Sequence, residues 1–318
     1  MKRICMMAAA LLWCVNAAAQ PYPNKPIKVV VPYPPGGTTD TMGRITASRL
    51  EANLKVPVTV ENRGGASGTI GSESVRKSPP DGYTLLFNAS IFLLGKSVLK
   101  ATPYDPVADF TALGRVGQIP LLVLAHPEVP GATLREFIAA AKRDPKKFIF
   151  SNSSAGSAGH LATIEFNRVS GLDLDVVTYK GSAPALVDLM GGRVQLMIDP
   201  LSVALPHVRS GKLKALAVTT RERVPAAPEI PSAPESGMAE LIFSTWHAVW
   251  GPKDLPAEVL NALSQALRTM AREPETRQRL AGIGVEPVEQ TGADFAAFIA
   301  QDVRRNDALL KAAKFQAE

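Results

Sequence analysis

The chain has 318 residues, is 46% hydrophobic and 20% charged, and carries a formal net charge of +6. That is an ordinary globular composition, long enough for about two domains and an ample core. The weak positive balance comes without basic runs, aromatic interleaving or zinc-ligand spacing, which argues against nucleic acid as a partner.

In chain order, the first predicted element is a targeting segment. Lys2 and Arg3 precede an apolar stretch from Met6 to Val15, and Ala17-Ala18-Ala19 precedes Gln20. This is the order of a secretory signal peptide over residues 1–19, cut after Ala19. The apolar stretch falls short of the ~20 residues that a spanning helix needs. Cys5 and Cys14, the only cysteines, both lie in this segment. A lipoprotein reading through Cys14 is the alternative, which Trp13 beside it fits poorly. The mature chain is expected to be soluble in the periplasm, free of disulfides, with its charge lowered to +4 by loss of Lys2 and Arg3.

Ile27–Val31 reads as a buried strand, Pro32–Pro35 as a rigid turn and Gly36-Gly37 as a flexible pair. A helix is predicted to start at Thr39 or Asp40. Two readings of this turn stand side by side. Free amides at a helix start, approached through glycine, can seat a carboxylate or phosphate. The same residues also make an ordinary βα connection with Asp40 as N-cap.

Further strands are predicted at Val56–Glu61, Thr84–Asn88, Leu121–Ala125, Phe148–Ser151, Val176–Tyr179, Leu196–Asp199 and Leu213–Thr219. Helices are predicted over Thr133–Arg143, with Thr133 and Glu136 as a capping box, and over Ser157–Val169, Ala183–Met190 and Leu201–Ser210. Val224–Gly237 is a proline-rich connector, followed by amphipathic helices Pro256–Arg272 and Asp294–Ala313. Alternating strands and helices make this an α/β chain.

Several near-motifs fail on spacing. Gly95-Lys96-Ser97 lacks the glycines of a phosphate cradle upstream. Gly65-Ala66-Ser67-Gly68 and Gly156-Ser157-Ala158-Gly159 each miss the nucleophile-elbow spacing by one residue. His126, His160, His207 and His247 lie far apart, so no metal is expected. A Ser157–His160 catalytic pair lacks an orienting acid or an oxyanion motif. What remains is a set of small polar loops after short strands: Gly36–Asp40, Asn62–Ser72, Asn88–Ser90, Ser151–His160, Tyr179–Ala183 and Asp199–Leu201. Their glycines, serines and amides suit holding an anion rather than transforming it. Each loop alone is equally an ordinary turn.

Six motifs, taken in order, resemble a known family. They are Val31-Pro32-Tyr33-Pro34-Pro35-Gly36-Gly37-Thr38-Thr39-Asp40, then Glu61-Asn62-Arg63-Gly64-Gly65-Ala66-Ser67-Gly68-Thr69-Ile70-Gly71. Pro80-Asp81-Gly82-Tyr83-Thr84-Leu85-Leu86 and Pro103-Tyr104-Asp105-Pro106 follow. Gly156-Ser157-Ala158-Gly159-His160-Leu161 and Tyr179-Lys180-Gly181-Ser182-Ala183-Pro184-Ala185-Leu186 complete the set. From Tyr22 onward the chain resembles the periplasmic solute-binding receptors of tripartite tricarboxylate transporters, the Bug or TctC-like family.

The resemblance implies a type II periplasmic-binding-protein fold, two α/β lobes with a ligand cleft between them. By analogy one lobe is 20–118 plus 243–318 and the other 119–242. It implies a non-enzymatic receptor, a monomer without cofactor, that binds a small organic acid and delivers it to membrane transporter subunits. The alternative is a sensor that signals to a membrane partner without dedicated transport. Family ligands are di- and tricarboxylates, acidic amino acids and aromatic acids. The carried-over ligand set is Gly36, Gly37, Thr38, Asp40, Ala66 and Ser67 on the first lobe. On the second it is Ser154, Ala155, Gly156 and Ser157, with Tyr179, Lys180 and Asp199 at the pocket wall. Ser154 stands where the family usually has glycine, and Trp246-His247-Ala248-Val249-Trp250-Gly251-Pro252 varies the usual small stretch after its Trp. These departures bear on which acid is bound.

Overall fold

The computed structural model describes residues 21–317. The expected signal peptide, with Cys5, Cys14 and the Ala19/Gln20 cut, lies outside the described residues.

Strand β1 (Ile27–Val31) is apolar throughout except for Lys28, and it is buried between two parallel neighbours, β2 (Val58–Asn62) and β3 (Thr84–Ala89). A fully buried parallel strand needs such a continuous run rather than an alternating one. Helix α1 (Thr38–Leu54) crosses from β1 to β2 and buries Met42, Ile45, Ala47 and Leu50. It lies so close to the sheet that a Cβ on Gly43 would sit 2.9 Å from Val31 Cγ2. Helix α2 (Thr69–Arg76) leads on to β3, and the short α3 (Gly95–Val98) follows it.

Strand β4 (Phe110–Ala125) is 16 residues long and joins two halves of the molecule. Its first part pairs antiparallel with β9 (Ser244–Pro252) and β10 (Glu286–Thr291). Its second part, Leu121–Ala125, pairs antiparallel with β7 (Leu196–Pro200) and β8 (Lys214–Val218). Beyond β7 lie β5 (Ile149–Asn152) and the edge strand β6 (Asp175–Thr178), both parallel. The sheet order is β2-β1-β3-β9-β4-β7-β5-β6. Helices α4 (Leu134–Ala141), α5 (Ala158–Ser170), α6 (Ser182–Met190) and α7 (Leu201–Arg209) flank the second half. Helices α8 (Ala257–Arg272), α9 (Pro274–Gly282) and α10 (Gly292–Ala312) complete the chain.

Some predicted elements shift. Only Leu121–Ala125 of β4 was legible, because Pro120 interrupts the apolar run and Gly114 and Gly117 sit at register shifts against β9. Helix α1 begins at Thr38 with Gly37 as N-cap, not at Thr39 or Asp40. The capping box at α4 is present: Thr133 Oγ1 accepts the Glu136 amide at 3.2 Å, and Glu136 reaches back to the Ala132 amide at 2.8 Å.

Thr219, fully buried, ties the two crossings between the halves. Its amide donates to Leu121 O at 2.9 Å, its hydroxyl donates to Phe243 O at 2.6 Å, and its carbonyl accepts the Phe243 amide at 3.0 Å. The chain thus enters the second half along β4 and leaves it beside the same strand. The apolar core is continuous across these crossings: Ile27 and Leu85 of the first half share one buried cluster with Leu189 and Leu205 of the second.

Candidate ligand cleft

A cleft of about 910 Å³ opens between the halves at the carboxyl ends of β1, β3, β5 and β6. Ligands of open α/β sheets bind at that end of the strands. Tyr33, Thr39, Ser67 and Ser90 line it from the first half, and Ser154, Ala155, Ser157 and Ser182 from the second. Lys180 is the one charged side chain among the lining residues, and it is exposed.

The first loop is braced from inside. Asp40 is buried in the first turn of α1. Its Oδ2 accepts the Gly36 amide at 2.9 Å and Arg44 Nε at 3.0 Å, and its Oδ1 accepts Asn62 Nδ2 at 2.8 Å. Burial alone would raise the Asp40 carboxyl, but the donors from Arg44, Gly36 and Asn62 outweigh it and hold it below the usual aspartate range. Asn62 also donates to Tyr33 O at 3.1 Å, which fixes the turn at its other end. Beside it, Thr39 reaches the cleft, with Oγ1 3.1 Å from Nε2 of the fully buried His247. His247 stacks against Phe87, and burial pushes its imidazole down to about 3, so the ring is neutral.

The second loop, Gly65-Ala66-Ser67-Gly68, holds φ of 121°, 45°, 54° and 88° in succession. Positive φ at Ala66 and Ser67 is a conformation that non-glycine residues rarely adopt, and such strain gathers at ligand-holding loops.

Across the cleft, Ser157 is the N-cap of α5, its Oγ accepting the His160 amide at 3.1 Å. His160 Nδ1 accepts the Gly156 amide at 3.0 Å, and burial pushes this imidazole down to about 4. Ser157 Oγ and the His160 ring are therefore both engaged with backbone amides, not with each other as nucleophile and base. Gly156 has φ +72°, and a Cβ there would lie 2.6 Å from Val98 Cγ1, so only glycine fits.

The Tyr179 hydroxyl donates to Asp188 Oδ2 at 2.8 Å, which holds the wall below Lys180. The Gly181 amide is spent on Ser153 O at 2.7 Å. Ser182 opens α6, and its hydroxyl donates to Asp199 Oδ1 at 3.0 Å. Asp199 is fully buried, its Oδ2 has no partner, and burial pushes its carboxyl up to about 7, with Ser182 pulling the other way.

The expected ligand residues therefore divide. Ser67, Ser154, Ala155, Ser157, Tyr179 and Lys180 come together in the cleft. Gly36 and Thr38 instead line a neighbouring groove of about 580 Å³ against α7 and the Ala281–Gly284 turn. Gly156 faces a cavity of about 500 Å³ behind the cleft, with Arg115 and Trp246. Gly37 is exposed, whereas Asp40 and Asp199 sit behind the cleft surface as braces for Gly36 and Ser182. Thr39, Ser90, Tyr104 and Ser182 line the cleft without having been singled out. All four lay in polar loops or motifs already marked, but residue type alone does not tell which loop position faces inward.

These walls offer hydroxyls with one cation and no surface carboxylate, a chemistry suited to an anion. Among the described residues no three His, Cys, Asp or Glu side chains converge as metal ligands, and no helix is long and apolar enough to cross a membrane.

Comparison with known proteins places the geometry. Residues 42–315 match a family model described as the tripartite tricarboxylate transporter family receptor. Protein BugT of Bordetella pertussis is 36% identical over 290 residues, covering 91% of this chain and 89% of BugT. Among solved structures, R. palustris Rpa4515 with adipate is 32% identical with a TM-score of 0.83, covering 92% of this chain and 98% of that one. MatC from Rhodopseudomonas palustris with bound malate is 27% identical with a TM-score of 0.77, covering 91% of this chain and 100% of that one.

Proposed function

This chain belongs to the tripartite tricarboxylate transporter receptor family, and from that premise we propose that it is a periplasmic receptor for a small organic acid, which it passes to a membrane transporter. The observation that carries the reading is the wall chemistry of the cleft: hydroxyls from both halves, Lys180 at the rim, and no carboxylate at the surface. A carboxylate replaces its lost hydration there with charge-assisted hydrogen bonds. Adipate in Rpa4515 and malate in MatC support carboxylates as the ligand class.

The two lobes are 20–118 plus 243–318 and 119–242, and they close on the ligand about the crossings that Thr219 ties together. The closed form is what the membrane partner reads. No catalytic step is assigned. Ser157 and His160 hold backbone, and the buried acids behind the cleft, Asp40 and Asp199, are committed to Gly36 and Ser182.

The test is a thermal-shift screen of the mature chain against small mono-, di- and tricarboxylates, since a bound ligand raises stability by mass action. At least one acid is expected to shift the melting temperature, and calorimetry then gives its affinity. A panel in which none of these acids shifts it contradicts the reading.

A further inference from the structure

Two hydroxyls face the cleft from opposite halves, and a buried residue stands directly behind each. Behind Ser182 stands Asp199, and behind Thr39 stands His247. Neither buried residue lines the cleft, so each acts through the hydroxyl in front of it.

A hydroxyl has one proton and two lone pairs, so what stands behind it decides what it shows to a ligand. The Ser182 proton lies on Asp199 Oδ1 at 3.0 Å. An ionised carboxylate accepts only, so Ser182 has lone pairs and nothing else to offer the cleft. At Thr39 the polarity is reversed. His247 Nδ1 is buried without a partner, and a buried N–H without an acceptor is rarer than a bare lone pair. The ring proton therefore sits on Nε2 and is donated to Thr39 Oγ1, 3.1 Å away. The Thr39 hydroxyl proton has no acceptor among the described residues and is free for a ligand anion.

We propose that Asp199, in its ionised form, and His247 are positioning residues that set the hydrogen-bond polarity of the cleft, donor at Thr39 and acceptor at Ser182, and so select carboxylates that also carry a hydroxyl or ammonium donor. The proposal rests on the carboxylate reading of the cleft and narrows it. A plain alkanedioate satisfies Thr39 but leaves Ser182 without a donor. A hydroxy or amino acid of the same length satisfies both, and an unmet buried partner is what makes such discrimination steep. Asp199 is suited to this task and poorly suited to a structural one, because it is a buried carboxyl with one oxygen unbonded and no cation beside it.

Two matched series test this by calorimetry on the mature chain at about pH 8, where the carboxylate is ionised. The first is succinate, malate and aspartate; the second is adipate, 2-hydroxyadipate and 2-aminoadipate. The wild type is expected to bind a substituted acid about tenfold tighter than its unsubstituted parent, and the hydroxyl and ammonium arms tell which donor is preferred. In Asp199→Asn the amide NH₂ turns toward Ser182, since the other site would strand it without an acceptor. Ser182 then becomes a donor to the cleft, and the preference falls to parity or reverses. Ser182→Ala removes the acceptor and brings the ratio to about one. A merely structural role would weaken both acids alike and leave their ratio unchanged. Equal or weaker binding of the substituted acids by wild type overturns the assignment, as does a wild-type ratio in both folded variants. If no acid in either series binds the wild type while its melting temperature is normal, this proposal is overturned, and the carboxylate reading itself falls only if the wider panel of mono-, di- and tricarboxylates also fails to bind.

Discussion

Asp40 Oδ2 accepts the backbone amide of Gly36 at 2.9 Å. The turn whose sequence most suggests an anion seat therefore spends one of its amides on its own helix. Asp40 stands three residues past the N-cap Gly37 and closes the turn as a capping-box acid would, rather than capping the helix itself. With Arg44 and Asn62 on the same carboxylate, the loop is set before any ligand arrives.

Asp40→Ala is expected to cost about 1–3 kcal/mol, because it strands the partners of a buried carboxylate. The Asp40 carboxyl lies below its ordinary value in the fold, so its stabilisation is present above the unfolded pKa and is lost as pH falls through the folded one. Urea melts should show the variant's deficit at neutral pH and a shrinking gap in acid.

Asp199 has the opposite sign. Its carboxyl is raised to about 7, so the folded state holds the proton more tightly than the unfolded chain. Stability from this group is complete below about pH 4 and is lost as pH climbs to about 7. A shift of about three units bounds the loss at about 4 kcal/mol. Asp199→Asn should match wild type at about pH 4 and be the more stable protein at about pH 8. Parallel denaturation curves at all pH values would contradict the burial of an ionised acid there.

The two buried histidines are expected to stay neutral across the working range. His247 is pushed down to about 3 and His160 to about 4 by burial. In nitrogen-detected spectra neither ring should titrate between about pH 5 and 8, where an ordinary histidine would. A titrating His247 would put a second proton on Nδ1, which is buried without an acceptor, and would contradict a neutral ring at that place.

Glycines in the ligand loops separate by backbone conformation. Gly156 sits at φ +72° with Val98 Cγ1 2.6 Å from a Cβ position, so Gly156→Ala should cost about 1–3 kcal/mol in melting experiments. Gly37 has φ −80° and nothing within 4 Å of its Cβ position, so Gly37→Val should leave the melting temperature of the ligand-free chain almost unchanged. Whether that valine weakens binding then reports on the loop's approach to the ligand, free of folding effects.

The sequence carried the α/β pattern and the family motifs because both rest on local signals: buried runs, caps and glycine turns. Ile27–Val31 and the capping box at Thr133 and Glu136 needed no long-range information. The long crossing strand did, since Gly114 and Gly117 are glycine because β10 and its preceding turn press on them: Thr291 Cγ2 would lie 2.8 Å and Val285 Cγ1 2.6 Å from a Cβ. The site was legible as loops but not as side chains. Thr39 and Asp40 are neighbours on one helical turn, yet the first faces the cleft and the second faces Asn62. Likewise nothing local marks His247 as the partner of Thr39, 208 residues away.

The central claim is that the cleft binds an ionised carboxylate, and calorimetry on an acid and its primary amide tests it most directly. For whichever acid stabilises the mature chain, the account predicts that the amide of the same length binds at least about tenfold more weakly, because charge-assisted hydrogen bonds worth ~1.5–3 kcal/mol each are lost. Equal affinity for acid and amide would contradict it.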